Sequence, residues 1–308
     1  MANNKFQTIT ANGVLAKFEE ALGASRRVYE SVTQTINVTG PDQTHVWLGN
    51  VPQPSQRLGS AVLSGIREFS FNVANQEYVL VFLIDQNSIE DDQQNLIDQK
   101  ISDASGVWAI FKDAQLSTLL QNGGTDTAWD GNAFFHDTRQ VGSSGALDNN
   151  FTGSTTSGLP SATDMLNFAS TANAGMLRLK DDQGNDDYNS TASTKKVLIV
   201  PAEYEKAAVE AVSSSIIANT SNAWGMNFAE PKVLPNLPDS DNIIYLAYVG
   251  DANRMPFIYQ ERTPLQITVS NSDEAVAQNH GVLVTARQRY RLGYGEFRRC
   301  SRLTVTES

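Results

Sequence analysis

Residues 88–124 have the sequence SIEDDQQNLIDQKISDASGVWAIFKDAQLSTLLQNGG, and this stretch decides the fold. Ser88 can cap a helix, and the acidic residues 90–92 follow in the first turn, where the helix dipole favours negative charge. An apolar stripe recurs at steps of three and four residues through Ile97, Ile101, Ala104, Trp108 and Phe111. The stripe predicts a helix that ends near Gly123 and is on the order of 50 Å long at ~1.5 Å per residue.

The residues before this helix are predicted to be mainly β-strand. A short helix comes first, with Val14, Phe18 and Leu22 on one face. Residues 33–84 are rich in strand formers, but Pro52 and Pro54 forbid a central strand and predict a long exposed loop. Residues 69–73 and 78–84 alternate in polarity on either side of a turn at 74–76, which predicts a β-hairpin.

The residues after the long helix mix loops, helices and strands. Residues 123–158 are rich in Gly, Ser, Thr and Asn, with one aromatic island at 129–135 that is expected to anchor a loose loop. A helix capped by Ser161 or Thr163, a strand at 197–200 and a helix at 203–215 follow. Further strands are predicted at 232–234, 243–249, 256–260, 266–269 and 281–292. The pattern indicates a mixed α and β protein.

Composition narrows the function classes. The chain has 308 residues, 40% of them hydrophobic and 19% charged, which is ordinary globular composition. A net charge of -11 argues against a protein whose main task is to neutralise nucleic-acid phosphates. The single cysteine, Cys300, permits no intrachain disulfide and is expected to be buried. Neither a signal peptide nor a membrane-spanning apolar run is evident, so a soluble compartment is expected.

Motifs for catalysis or metal binding are missing from the sequence. His45, His136 and His280 lie far apart, and neither a nucleophile elbow nor a phosphate-binding loop occurs. The acidic turn at residues 181–187 fails the calcium-loop pattern and is interpreted as a solvated turn. We therefore predict no catalytic, cofactor-binding or metal-binding residues.

Six arginines crowd into residues 287–302 of this acidic chain: Arg287, Arg289, Arg291, Arg298, Arg299 and Arg302. Three interpretations remain open, namely a solvated charged face, pairing with carboxylates of a neighbouring element or subunit, and a weak contact with nucleic acid. Because the first three arginines are two residues apart, they lie on one side of a strand, which favours pairing.

Several segments, in their order and spacing, resemble the major head subunits of phage Mu and its prophage relatives. These segments are residues 46–49 followed by Pro52, 71–78, 89–92, 129–135, 182–185, 197–201 and 287–295. The resemblance implies an α+β fold of the Hong Kong 97 capsid type. It implies an N-terminal arm at 1–35, an extended hairpin loop with peripheral-domain strands at 36–87, a spine helix at 88–122, an axial domain at 123–279 and a return strand to the peripheral domain at 280–308. Residues 142–158 do not align and are interpreted as a surface insertion.

The same resemblance implies a non-enzymatic major capsid protein of a tailed bacteriophage, located in the virion after synthesis in the bacterial cytoplasm. Its copies would form hexamers and pentamers of an icosahedral head, with portal, scaffold and decoration proteins as candidate partners. Packaged double-stranded DNA would be contacted only weakly, with no membrane and no cofactor. Candidate inter-subunit residues are Val51, Pro52, Pro54, Leu58, Val62, Leu63, Arg287, Arg289 and Arg291. The alternatives are an encapsulin-like host compartment shell and a soluble α/β hydrolytic enzyme.

Overall fold

The structure is a computed structural model that describes residues 11–25, 27–40, 42–48, 68–87, 96–187, 195–238 and 242–307. The α-helices bounded within these ranges are α1 (Ala11–Ala24), α2 (Tyr29–Val32), α3 (Leu96–Asn122), α4 (Ala162–Leu177), α5 (Glu205–Ser213) and α6 (Asp273–Asn279). The strands up to the long helix are β1 (Thr33–Asn37), β2 (Asp42–Leu48), β3 (Glu68–Ala74) and β4 (Gln76–Asp85). The strands after it are β5 (Asn150–Ser154), β6 (Lys196–Val200), β7 (Ile216–Ile217), β8 (Thr220–Ser221), β9 (Glu230–Val233), β10 (Ile243–Tyr248), β11 (Phe257–Ser270), β12 (Gly281–Tyr294) and β13 (Cys300–Thr306).

A four-stranded sheet with the order β1-β11-β12-β4 packs one face against helices α1 and α3. Strand β12 alternates strictly, so that Val282, Val284 and Ala286 are fully buried while the residues between them are half-buried. These side chains meet Phe18 of α1 and Trp108 of α3. The period of two therefore gives the sheet one apolar face, and the two helices cover it.

A five-stranded sheet with the order β5-β13-β10-β6-β9 is covered on both faces around its central strands. All five residues of β6 are buried. Leu198 and Val200 pack with helices α4 and α5, whereas Val197 and Ile199 pack with the end of α3 and the aromatic island. In that island Phe134 and Phe135 are buried, so the predicted anchoring role of residues 129–135 is confirmed.

Strands β2 and β3 form an antiparallel hairpin, with Asp42 opposite Ala74 and Leu48 opposite Glu68. The predicted hairpin between residues 69–73 and 78–84 is therefore wrong. Strand β4 pairs with β12 instead, and only Asn75 separates β3 from β4. The alternation identified both strands correctly, but alternation reports the two faces of a strand and carries no information about its neighbour.

The long helix α3 has 27 residues and spans about 40 Å at ~1.5 Å per residue. Ser88 and the predicted first turn lie outside the described residues. Ile101 and Trp108 are buried as predicted, but Phe111 is 41% exposed, and its ring packs against the ring of Tyr78 in a T-shaped pair. On another side of the helix, the Asp113 carboxylate accepts hydrogen bonds from the backbone N–H groups of Val28 and Tyr29, which fixes the start of α2.

The strands group differently from the predicted segments. Strand β11 lies in the four-stranded sheet, although the sequence placed it within 123–279. Of the predicted return strand at 280–308, β12 packs against α3 in the four-stranded sheet, whereas β13 lies between β5 and β10 in the five-stranded sheet. Because β5 belongs to that sheet, residues 150–154 are part of the core architecture, and the interpretation of 142–158 as a surface insertion is wrong for them.

Candidate functional site

On the face of the four-stranded sheet that points away from α1 and α3, the edge strand β4 exposes an apolar row. Val79, Val81 and Leu83 of β4 are 51%, 51% and 48% exposed, and they form a row along one edge of the sheet. Leu283 of β12 stands directly opposite Leu83 and extends this row. The outer sheet face is the name we give to the surface formed by Val79, Val81, Leu83, Leu283, Thr285 and Arg287. A long apolar edge strand in this setting is a strong candidate for contact with another chain.

The arginine row lies at the polar end of the outer sheet face. Arg287 stands opposite Val79, and Arg289 stands opposite Glu77. The Arg287 guanidinium donates to the Glu77 carboxylate in an ion pair between two half-exposed side chains. The sequence favoured pairing of these arginines with carboxylates. Arg287 forms such a pair, and its partner belongs to the same subunit.

This ion pair shifts both partners toward their charged forms. The hydrogen bond from Arg287 holds the pKa of Glu77 below its ordinary value, and the charge of Arg289 lowers it further. The same bond raises the pKa of Arg287. Because both groups are open to solvent, the pair adds little to stability but fixes the position of two charges beside the apolar row.

The three later arginines are bound inside the subunit. Arg299 forms a buried ion pair with Asp187 at 2.9 Å, and Arg298 pairs with Glu296 at 3.1 Å. Arg302 donates from Nε to the side-chain oxygen of Asn150 at 2.9 Å. Arg298 and Arg299 are buried, so the interpretation as a solvated charged face is wrong for these two, whereas Arg302 is half-buried.

Arg291 lines a groove where the hairpin meets the sheet. The groove lies between strand β3 and the C-terminal end of α3, and its cavity measures about 340 Å³. Asp126 shares the lining, and its carboxylate accepts a hydrogen bond of 3.2 Å from the Tyr294 hydroxyl. A smaller cavity of about 170 Å³, bordered by Tyr78 and Gln115, adjoins it and shares Arg291 and Asp126. Arg287 and Arg291 lie on the same side of β12, but their surroundings differ. Arg287 pairs with Glu77 on the sheet, whereas Arg291 lines the groove.

The loop candidates cannot be placed beside these arginines. Val51, Pro52, Pro54, Leu58, Val62 and Leu63 lie in residues 49–67, which are outside the described residues. In sequence they belong to the segment between β2 and β3.

The first half of the acidic turn is buried, which corrects its interpretation as solvated for Asp181 and Asp182, whereas Asp186 is exposed. Asp181 is 1% exposed, and its carboxylate accepts hydrogen bonds from the backbone N–H groups of Gln183 and Asn185. Asp187 is held by Arg299, as described above. Within the described ranges, no group of three or more His, Cys, Asp or Glu side chains could hold a metal ion. Cys300 is buried as predicted, and burial raises the pKa of its thiol.

The apolar row of the outer sheet face was missed by sequence reasoning. The alternation of Tyr78, Leu80, Phe82 and Ile84 was noticed, but the residues between them are also apolar. Seven consecutive apolar residues at 78–84 indicate a strand that is apolar on both faces. That run was the available signal. None of the described helices is long and apolar enough to cross a membrane.

Comparisons with known proteins bear on both the fold and the family. The sequence model of the family described as Mu-like prophage major head subunit gpT matches residues 8–164, just over half of the chain. The Mu-like prophage FluMu major head subunit of Haemophilus influenzae is 22% identical over 125 residues. That alignment covers 41% of this chain and 41% of the relative, so the similarity spans less than half of the relative's length.

Among solved structures, the capsid of cyanophage P-SCSP1u is similar with a TM-score of 0.64 at 11% identity. The alignment covers 92% of this chain and 89% of that chain. A virus-like particle from Pyrococcus furiosus is similar with a TM-score of 0.57 at 8% identity, over 94% of this chain and 96% of that chain. At such identities the likeness shows the fold alone, and it confirms the predicted α+β fold of the Hong Kong 97 capsid type.

Proposed function

This chain belongs to the family of Mu-like prophage major head subunits, and on that premise we propose that it is the major capsid protein of a tailed bacteriophage. Many copies build the icosahedral head that encloses the genome, and each copy acts as a structural subunit and not as an enzyme. The match of the family model to residues 8–164 carries the proposal, because that range includes α1, the hairpin, β4 and α3.

The outer sheet face supports the same proposal on physical grounds. A folded monomer that exposes the row Val79, Val81 and Leu83 on an edge strand carries a hazard of aggregation. A shell subunit removes this hazard when it buries such a surface against a neighbouring copy. The exposed residues Val107 and Ile110 of α3, at 57% and 60%, provide a second apolar surface of the same kind.

The roles of the individual regions are part of the proposal. The four-stranded sheet with α3 acts as the peripheral domain, and the five-stranded sheet acts as the axial domain in hexamers and pentamers. The loop residues Val51, Pro52, Pro54, Leu58, Val62 and Leu63, together with Arg287, Arg289 and Arg291, contact neighbouring copies. Portal, scaffold and decoration proteins are the expected further partners in the virion, and packaged DNA makes only weak contacts.

Purified protein tests the proposal directly. We expect sedimentation and electron microscopy to detect rings, tubes or closed shells as salt and protein concentration are raised. A strictly monomeric species up to the solubility limit would contradict a shell role. Particles isolated from cells that make them naturally should contain nuclease-protected double-stranded DNA, whereas an enclosed host protein without DNA would support the compartment alternative.

A further inference from the structure

A buried glutamine joins the hairpin β2–β3 to the four-stranded sheet. Gln260 lies within β11 and is 0% exposed. Its side-chain oxygen is 2.6 Å from Nε2 of His45 in β2. Its side-chain nitrogen donates to the backbone oxygen of Val73 in β3 at 3.0 Å and to the side-chain oxygen of Asn75 at 2.9 Å. One side chain therefore holds both strands of the hairpin and the residue that follows them.

The network fixes the direction of each hydrogen bond. The two N–H groups of the Gln260 amide face two acceptors, so its oxygen must face His45, which donates from Nε2. Asn75 in turn donates to the backbone oxygen of Gly40 at 3.3 Å, just before β2. An amide with both donors and its acceptor engaged cannot rotate without leaving buried groups unsatisfied.

The contacts lie where the chain changes its pairing partner. Strand β3 pairs with β2, and β4 pairs with β12, with Asn75 as the single residue between them. A strand that passes from one partner to another can bend at that point, and the bend sets where the far end of the hairpin lies. Gln260 of β11 bonds to β2, to β3 and to Asn75, so it ties the hairpin to the sheet at this point.

We propose that Gln260, through His45, Val73 and Asn75, is a positioning residue that sets the direction in which hairpin β2–β3 extends toward a second copy of this chain. The inference rests on the proposed shell function. Direction matters because a small rotation at the base displaces the far end of a long hairpin by a larger distance. A shell then closes only when that end meets its contact on the neighbour.

A matched control exists on the adjacent strand. Gln288 of β12 is also buried, at 4% exposure, and its amide also makes three hydrogen bonds, to Trp108, Tyr259 and Glu261. These bonds join the sheet to α3 and to β11 but make no contact with the hairpin. Each of Gln260→Met and Gln288→Met therefore removes a buried amide with three hydrogen bonds. Only the first substitution removes bonds to the hairpin.

The test compares the two variants in hydrogen–deuterium exchange and in particle formation. We expect Gln260→Met to speed exchange roughly tenfold in β2 and β3 alone, and to lower the yield of closed particles roughly tenfold or more. Gln288→Met should leave hairpin exchange and particle yield near wild type. Equal particle yields from the two variants, or hairpin exchange equal to wild type in Gln260→Met, would overturn the proposal.

A milder pair of variants keeps the test decisive if Gln260→Met does not fold. His45→Leu removes one hydrogen bond to β2, whereas His45→Gln retains a donor. We expect a loss of closed particles in the first and recovery in the second; equal yields would overturn the proposal. If wild-type protein never forms particles, the shell function fails, and hairpin exchange in the same variants still decides whether Gln260 positions the hairpin.

Discussion

The two sheets differ in how completely the subunit covers them. Around β6 and β10 the five-stranded sheet is packed on both faces, by α4 and α5 on one side and by the aromatic island on the other. Among the described residues, helices cover only one face of the four-stranded sheet, and the other face exposes Val79, Val81 and Leu83. The five-stranded sheet therefore contributes most of its apolar surface to the stability of the subunit, whereas the four-stranded sheet leaves part of its apolar surface exposed.

The largest expected effect on the free energy of unfolding comes from a comparison of one leucine-to-alanine substitution in each sheet. Leu246 of β10 is 2% exposed, whereas Leu83 of β4 is 48% exposed. Leu246→Ala should lower the free energy of unfolding by about 3 kcal/mol, because it leaves a cavity beneath α4 and α5. Leu83→Ala should lower it by less than about 1 kcal/mol. Urea denaturation of both variants checks this, and similar losses would break the distinction between the sheets.

A smaller effect concerns a buried charge under the four-stranded sheet. The Lys112 ammonium of α3 lies 5.0–5.4 Å from the ring centres of Tyr29, Tyr259 and Tyr290, and it donates to the Tyr259 hydroxyl at 3.1 Å. Burial lowers the pKa of Lys112 to about 8, against the opposing charges of Glu261 and Glu30. The covered face of this sheet thus contains a group that titrates in an accessible range.

The sign of the pH dependence follows from the lowered pKa. Between pH 8 and the ordinary lysine value the unfolded chain binds the proton and the folded chain does not, so stability rises with pH in this window. From pH 7 to pH 10 the wild type should gain about 2 kcal/mol relative to Lys112→Met, which lacks the titrating group. Burial raises the pKa values of Tyr29, Tyr259 and Tyr290, so they reduce stability only above about pH 10. Urea denaturation of both proteins across this pH range measures the difference. If the free energies of unfolding of wild type and variant change in parallel with pH, the pKa of Lys112 is not lowered in the folded protein.

The smallest effect on subunit stability is expected at the outer sheet face. A triple variant that replaces Val79, Val81 and Leu83 with Thr keeps strand-forming residues and removes apolar surface. We expect its free energy of unfolding to stay within about 1 kcal/mol of wild type, because these side chains are already half-exposed. Particle formation, followed by sedimentation, should fall strongly. A normal yield of particles would mean that this face does not contact a second copy.

Much of the local structure was predictable because it is encoded by neighbours in sequence. Ser161 forms the capping box with Asp164 at the start of α4, as expected from the cap residue. Ile101 and Trp108 are buried on the predicted stripe of α3. The resemblance to Mu-like head subunits was confirmed by the family model.

Long-range pairing was much less predictable. Strand β3 was assigned to the wrong partner because the turn at 74–76 is a change of partner and not a hairpin turn. The acidic turn appeared solvated because its cation, Arg299, is 112 residues away from Asp187. Gln260 has no local signature, since its partners come from β2 and β3, which are distant in sequence.

The positions of β12 and β13 also have a consequence during translation. Strand β12 lies between β11 and β4, and β13 lies between β5 and β10, so residues 281–306 complete both sheets. Since ribosomes add roughly 5–20 residues per second, β4 waits on the order of tens of seconds for its neighbour. During this interval a nascent chain carries an unpaired apolar strand and cannot present a finished outer sheet face. A chain that stops before residue 281 therefore lacks the strand that pairs with β4 and the Leu283 side of the outer sheet face.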